Sequence, residues 1–113
     1  MSIKRTTEND VLQSCLEYLT LNGCLAWRSN NTGVYDPAKK CFRAFRGLAG
    51  VSDILGCLGD GRLLAVETKR PGGRLSAEQK RFLDAVRERG GLAFCVSSLQ
   101  QLIDGLREEG ILV

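Results

Sequence analysis

The 113-residue chain contains no histidine. That absence removes Ser-His-Asp and Cys-His hydrolases, histidine-ligated metallonucleases and every acid–base scheme built on imidazole. Hydrolytic chemistry in this chain would fall to carboxylates, lysine and a hard metal ion. No apolar run approaches the ~20 residues of a membrane-spanning helix, and the polar stretch from Met1 to Asp10 has no signal-peptide core. The expectation is a soluble cytoplasmic protein with no membrane contact. Cysteine is present but unpaired in pattern: Cys15, Cys24, Cys41, Cys57 and Cys95 are odd in number and form no C-x-x-C motif. Without histidine they cannot complete a zinc site. Cys15 and Cys95 sit within apolar patterns and are expected to be small buried hydrophobes in a reducing compartment.

The length suits one core and is too short for two, so residues 1–113 are read as a single domain. The net charge of +3 is modest, but its distribution is uneven. Between Trp27 and Gly47, five cations (Arg28, Lys39, Lys40, Arg43, Arg46) face Asp36 alone, a local balance of +4. From Lys69 to Arg81, Lys69, Arg70, Arg74, Lys80 and Arg81 face Glu78, again +4. The tail from Leu99 is acidic instead, with Asp104, Glu108 and Glu109 against Arg107. Cations gathered on two segments suit a phosphate-binding face, although an ordinary solvated basic surface has the same composition. Asn30 and Asn31, beside the first basic segment, are further candidate phosphate contacts.

Periodicity orders the elements as α, β, β-hairpin, β, β, α, β, α, which implies a mixed sheet flanked by helices. Thr7 and Asp10 make a capping box for the first helix, whose apolar stripe is Val11, Leu12, Cys15, Leu16 and Leu19. Glu8 shares the face of Leu12 and Cys15, so it either complements the helix dipole or points into a site. Leu25 to Arg28 reads as a strand. Residues 34–45 read as a hairpin around a five-residue loop, Asp36 to Lys40. A glycine-bracketed loop then delivers Asp53 to the strand Ile54–Leu58. Gly59-Asp60-Gly61 turns the chain into the strand Arg62–Lys69. Ser76 and Gln79 form a second capping box, opening a helix with a buried stripe of Phe82, Leu83 and Val86 that stops at Gly90-Gly91. Leu92 to Val96 is the last strand, and Ser98 opens a final helix on Leu99, Leu102, Ile103 and Leu106.

Along Arg62–Lys69, alternation puts Leu63, Ala65, Glu67 and Lys69 on one face. A short turn between adjacent antiparallel strands sets Asp53 beside Glu67 at one sheet edge. Two neighbouring carboxylates repel unless a cation bridges them, and all-oxygen ligands suit Mg²⁺ or Mn²⁺. Such an ion polarises a phosphate and lowers the pKa of water. Lys69, on the same face, is placed to orient that water or neutralise developing charge. Glu8 is a possible further carboxylate. Gln79 has a complete structural role as a capping-box residue.

The stretch Gly50-Val51-Ser52-Asp53-Ile54-Leu55, followed by Val66-Glu67-Thr68-Lys69-Arg70-Pro71-Gly72-Gly73-Arg74-Leu75-Ser76-Ala77-Glu78-Gln79-Lys80, resembles the virus-type replication-repair nuclease (VRR-NUC) domain. That family is a branch of the PD-(D/E)xK nucleases with the restriction-endonuclease-like α/β fold. The resemblance extends from the Glu8 helix to the strand around Phe94. It implies Asp53 and Glu67 as metal ligands, with the Thr68 carbonyl as another. It also implies Lys69 as the catalytic lysine, Glu8 as the helix-one acid and Gln79 as the helix glutamine supporting the site. The motif's nominal proline before the aspartate is replaced by Ser52. Small standalone phage or bacterial members of the family imply a homodimer acting on branched DNA, four-way junctions in particular. A flap or duplex nuclease and a non-catalytic DNA-binding module are the competing readings. Leu112-Val113 and the aromatic hairpin of Tyr35, Phe42 and Phe45 are candidate pairing surfaces.

Overall fold

Two capping boxes set the helix starts, as the sequence predicts. The computed structural model describes residues 6–29, 34–43 and 48–111, with the backbone alone at 34–36 and 41–43. Helix α1 spans Glu8–Leu21; the Thr7 side chain accepts from the Asp10 amide, and the Asp10 carboxylate accepts from the Thr7 amide. Strand β1 (Leu25–Arg28) follows, then the hairpin of β2 (Val34–Asp36) and β3 (Cys41–Arg43). Asp36 pairs with Cys41, so the hairpin loop holds four residues, not the expected five. Strands β4 (Ile54–Cys57) and β5 (Leu63–Thr68) come next, each slightly shorter than the sequence predicts. Then come α2 (Ala77–Glu88), β6 (Leu92–Val96) and α3 (Leu99–Glu108).

The main sheet has the order β1-β4-β5-β6. Strand β4 runs antiparallel to both its neighbours, β1 and β5, and β6 runs parallel to β5 after the α2 crossover. Strands β2 and β3 form a separate two-stranded sheet. Period-two alternation then sorts the side chains. Ile54, Leu64, Val66, Leu92 and Val96 point to one face, against Val11, Leu12, Cys15 and Leu19 of α1 and Leu102 and Leu106 of α3. Ala65 and Ala93 point to the other face, against Leu83 and Val86 of α2, with Leu55 and Phe82 partly buried beside them. The first layer is the larger and supplies the principal core; burial of each such leucine or isoleucine contributes roughly 1.5–3 kcal/mol.

Cys15 and Cys24 are buried, but Cys95 is exposed. The apolar neighbours of Cys95 mislead here. It lies on an edge strand, beyond Ala93 on the α2 face and outside the cluster that α2 covers. Among the described residues no helix is long and apolar enough to cross a membrane. Of the expected pairing surfaces, Leu112, Val113 and Phe45 lie outside the described residues, as do Asn30, Asn31 and Arg46 among the expected phosphate contacts.

Candidate active site

Strand register assembles the site. Ile54 pairs with Val66, so Asp53, one residue earlier, falls opposite Glu67, one residue later. On the far side of Asp53, the Ser29 amide donates to the Asp53 carbonyl at 2.7 Å, extending the β1–β4 pairing. On the far side of Glu67, the parallel register brings Cys95. Ser29, Asp53, Glu67 and Cys95 therefore form one row across the sheet, at the end where β5 stops.

Each carboxylate is held by its own donors. Asp53 Oδ2 accepts from both the Thr68 amide (3.0 Å) and the Thr68 hydroxyl (2.8 Å). The resemblance assigns Thr68 only a carbonyl; its amide and its fully buried hydroxyl are a second, unanticipated function. Glu67 is 2% exposed, and its Oε1 accepts from Gln79 Nε2 at 3.2 Å. The Lys69 ammonium stands 3.8 Å from the same Oε1, itself largely shielded. Gln79 completes the arrangement from the other end of its amide. Its Oε1 accepts from the Ser76 amide at 2.8 Å, while the Gln79 amide donates to Ser76 Oγ. The capping box thus fixes which end of the Gln79 amide faces Glu67. Capping and support of the site, alternatives in the sequence, are here one interaction.

Burial first, then the neighbouring Asp53 charge, push the Glu67 carboxyl up from 4.5 to about 8, with Lys69 opposing. Glu67 is therefore protonated at neutral pH when no cation is near, since the pair cannot both ionise cheaply in a shielded pocket. This is the condition a divalent cation relieves. The donor set fits one: two juxtaposed carboxylates, no soft ligand in the pair, and an adjacent backbone turn. Mg²⁺ in particular uses one or two carboxylates and fills its remaining positions with water and phosphate oxygens.

Glu8 is not gathered with this pair. It is exposed in the first turn of α1, and among the described residues no three His, Cys, Asp or Glu side chains converge on one point. Of the two readings open in the sequence, its position matches complementing the helix dipole. The start of α1 does approach the site's exit, because Thr6 lines a cavity with Arg70, Pro71 and Gly72. The cationic residues Arg28, Lys39, Lys40, Arg70, Arg74 and Lys80 are all exposed, and Arg43 lies in β3. Ser52, where the motif nominally has proline, is fully buried, and its hydroxyl donates to the Ile54 carbonyl at 2.8 Å.

The mixed four-stranded sheet with helices on both faces, carrying paired acids ahead of a lysine at a strand end, is the α/β architecture that the resemblance implies. The family follows from comparison. The profile of the VRR-NUC domain matches residues 7–99, and the chain belongs to that family, a nuclease-type, DNA-processing domain. A solved structure described as a VRR_NUC domain superposes with a TM-score of 0.65 at 25% identity, covering 91% of this chain and 97% of the other. No match was found among curated proteins.

Proposed function

We propose that this chain is a Mg²⁺- or Mn²⁺-dependent endodeoxyribonuclease that hydrolyses phosphodiester bonds in branched DNA, four-way junctions above all, as a homodimer. One observation carries the reading: Asp53 and Glu67 stand side by side, each hydrogen-bonded in place, with the Lys69 ammonium 3.8 Å from Glu67. Asp53, Glu67 and the Thr68 carbonyl would hold the cation. Bound there, it supplies charge to polarise the scissile phosphate and lowers the pKa of water.

The remaining work belongs to the chain's own groups. Thr68 locks the Asp53 carboxylate through two hydrogen bonds, so that it need not reorganise when substrate arrives. Gln79 does the same for Glu67. Lys69, tethered beside Glu67, orients the attacking water and offsets the charge that grows on the phosphorus oxygens. Exposed Arg70, Arg74 and Lys80, just beyond the site, attract the DNA backbone. A two-fold dimer would present two such sites to a two-fold junction.

The test uses labelled four-way junction, 5′ flap and linear duplex, each with Mg²⁺, Mn²⁺ or EDTA. Metal-dependent cleavage, fastest on the junction, is expected. Asp53→Asn and Lys69→Ala should each lower the rate by about 10²–10⁴-fold while leaving DNA binding intact. Binding without cutting in either metal would refute the enzymatic reading and favour a DNA-structure-binding module. Faster cutting of flap or duplex would refute the junction preference alone.

A further inference from the structure

The row next to the candidate catalytic row holds a feature that the proposed chemistry does not use. Trp27 pairs with Leu55 across β1–β4, Leu55 with Ala65, and Ala65 with Ala93. Trp27 is thus the edge member of the row beside Ser29, Asp53 and Glu67, on the same sheet face. Diagonal neighbours of this kind stand ~7–8 Å apart. Ala26, the residue before it, packs against the opposite core, which confirms the direction of Trp27. On its own face α2 covers Ala65 and Ala93 but does not reach β1. Trp27 is left 46% exposed on an edge strand, two residues from the Asp53 backbone contact.

We infer that Trp27 is a stacking platform for a DNA nucleobase that has one face free, placed beside the scissile phosphate, and that it makes the site selective for branched or single-stranded regions. The inference rests on the nuclease reading of Asp53 and Glu67 for the word "scissile". A half-exposed indole offers one face of its ring. A base inside a duplex has both faces occupied by its neighbours, whereas a base at a branch point has one free. Stacking on an aromatic side chain is tolerant of base identity, so the platform selects structure and not sequence. The exposed cations Arg70, Arg74 and Lys80 beyond the site attract the backbone of that strand. Leu25 and Leu63 are also exposed on this face, which makes self-association the rival occupant.

Trp27 is the sole tryptophan, so its emission reports on this spot alone. Metal-free protein, in EDTA, is titrated with a short single strand, a four-way junction, and a duplex of equal charge closed at both ends by non-nucleotide linkers. Quenching by the first two and not by the closed duplex is expected. Trp27→Ala should weaken the single strand about 5- to 150-fold and leave the closed duplex within about twofold, with Trp27→Phe intermediate. Circular dichroism checks that the variants fold. Equal quenching by all three, equal loss of affinity for all three, or no quenching by any DNA would overturn the inference. So would emission that follows protein concentration and not DNA, which would assign the face to a second copy of the chain. Quenching without cleavage would leave the platform standing and refute the nuclease; cleavage without quenching would do the reverse.

Discussion

Replacing Glu67 by glutamine should make the metal-free protein more stable at high pH, although Glu67 lies at the centre of the candidate site. Folding raises its carboxyl pKa from 4.5 to about 8. Between those values the folded protein holds a proton that the unfolded chain has released. The free energy of unfolding must therefore fall as pH rises through this window, and level off outside it. At ~1.4 kcal/mol per pH unit, the loss is on the order of 5 kcal/mol, against the roughly 5–15 kcal/mol total of a small domain. Glutamine mimics the protonated acid. Its carbonyl still accepts from Gln79, and its amide can still donate towards Asp53, but it never ionises.

Urea unfolding in EDTA from pH 5 to pH 9 tests this. The wild-type midpoint should drop by about 1.5–4 M across the range, given m-values of roughly 1–3 kcal/mol/M. The Glu67→Gln profile should stay nearly flat, so the variant overtakes the parent on the alkaline side. Mg²⁺ or Mn²⁺ should restore the wild type most at high pH, where no proton competes, by about 2.7 kcal/mol at a hundred times Kd. It should do little for the variant. Parallel profiles for the two proteins, or wild-type stability that climbs from pH 5 to pH 8, would refute the description of Glu67 as a shielded acid pressed by its neighbour.

Two further sets of substitutions probe how the site is held. Gly50 has φ +78°, and a Cβ there would strike the Glu78 carbonyl and come within 2.7 Å of the Gln79 nitrogen. Gly50→Ala should cost about 2–4 kcal/mol through backbone strain and overpacking, lower Tm by roughly 10 °C, and slow cleavage by displacing Gln79; an unchanged Tm would show that the contact is not tight. Ser76→Ala and Gln79→Ala should each lose about 1 kcal/mol of helix capping. Only the second should lose activity beyond about threefold, because alanine in place of Ser76 keeps the backbone amide that fixes Gln79. Equal losses would undo the separation.

The parts of this site that were legible in the sequence are those close together along the chain. Glu67 and Lys69 share a strand, so alternation alone puts them on one face, with the Lys69 ammonium 3.8 Å from Glu67 Oε1. Asp53 reaches Glu67 through a tight β4–β5 connection whose register a short turn constrains. Ser76 and Gln79 are three residues apart on one helix start. What was not legible depends on pairing between distant segments. Nothing local tells that Ser29 will meet Asp53, or that a parallel strand after a helix will set Cys95 beside Glu67. Glu8 is a different case. Helical spacing aligns it with Leu12 and Cys15, but the buried stripe starts at Val11, one turn too late to draw Glu8 inward. Spacing leaves Gln79 between two functions, because it ignores that an amide has a donor end and an acceptor end.

The row of site residues is itself selected by the apolar layer behind it. Ile54, Leu64 and Val66 are fully buried against α1 and α3. A one-residue slip of β4 along β5 would turn Ile54 out of that core and flip every alternate side chain to the wrong face. It would also carry Asp53 opposite Val66 or Thr68, away from Glu67. Two acids forced together cannot choose that arrangement for themselves, since it raises the energy of the metal-free protein. The core chooses it for them, and the strained pair is tolerable because the leucines and isoleucines that fix the register contribute more than the pair costs. On this view, substitutions in the far core layer, such as Ile54→Ala, should damage the site through register and not through contact. A rigid pair of carboxylates then needs only Thr68 and Gln79 to hold its final orientation.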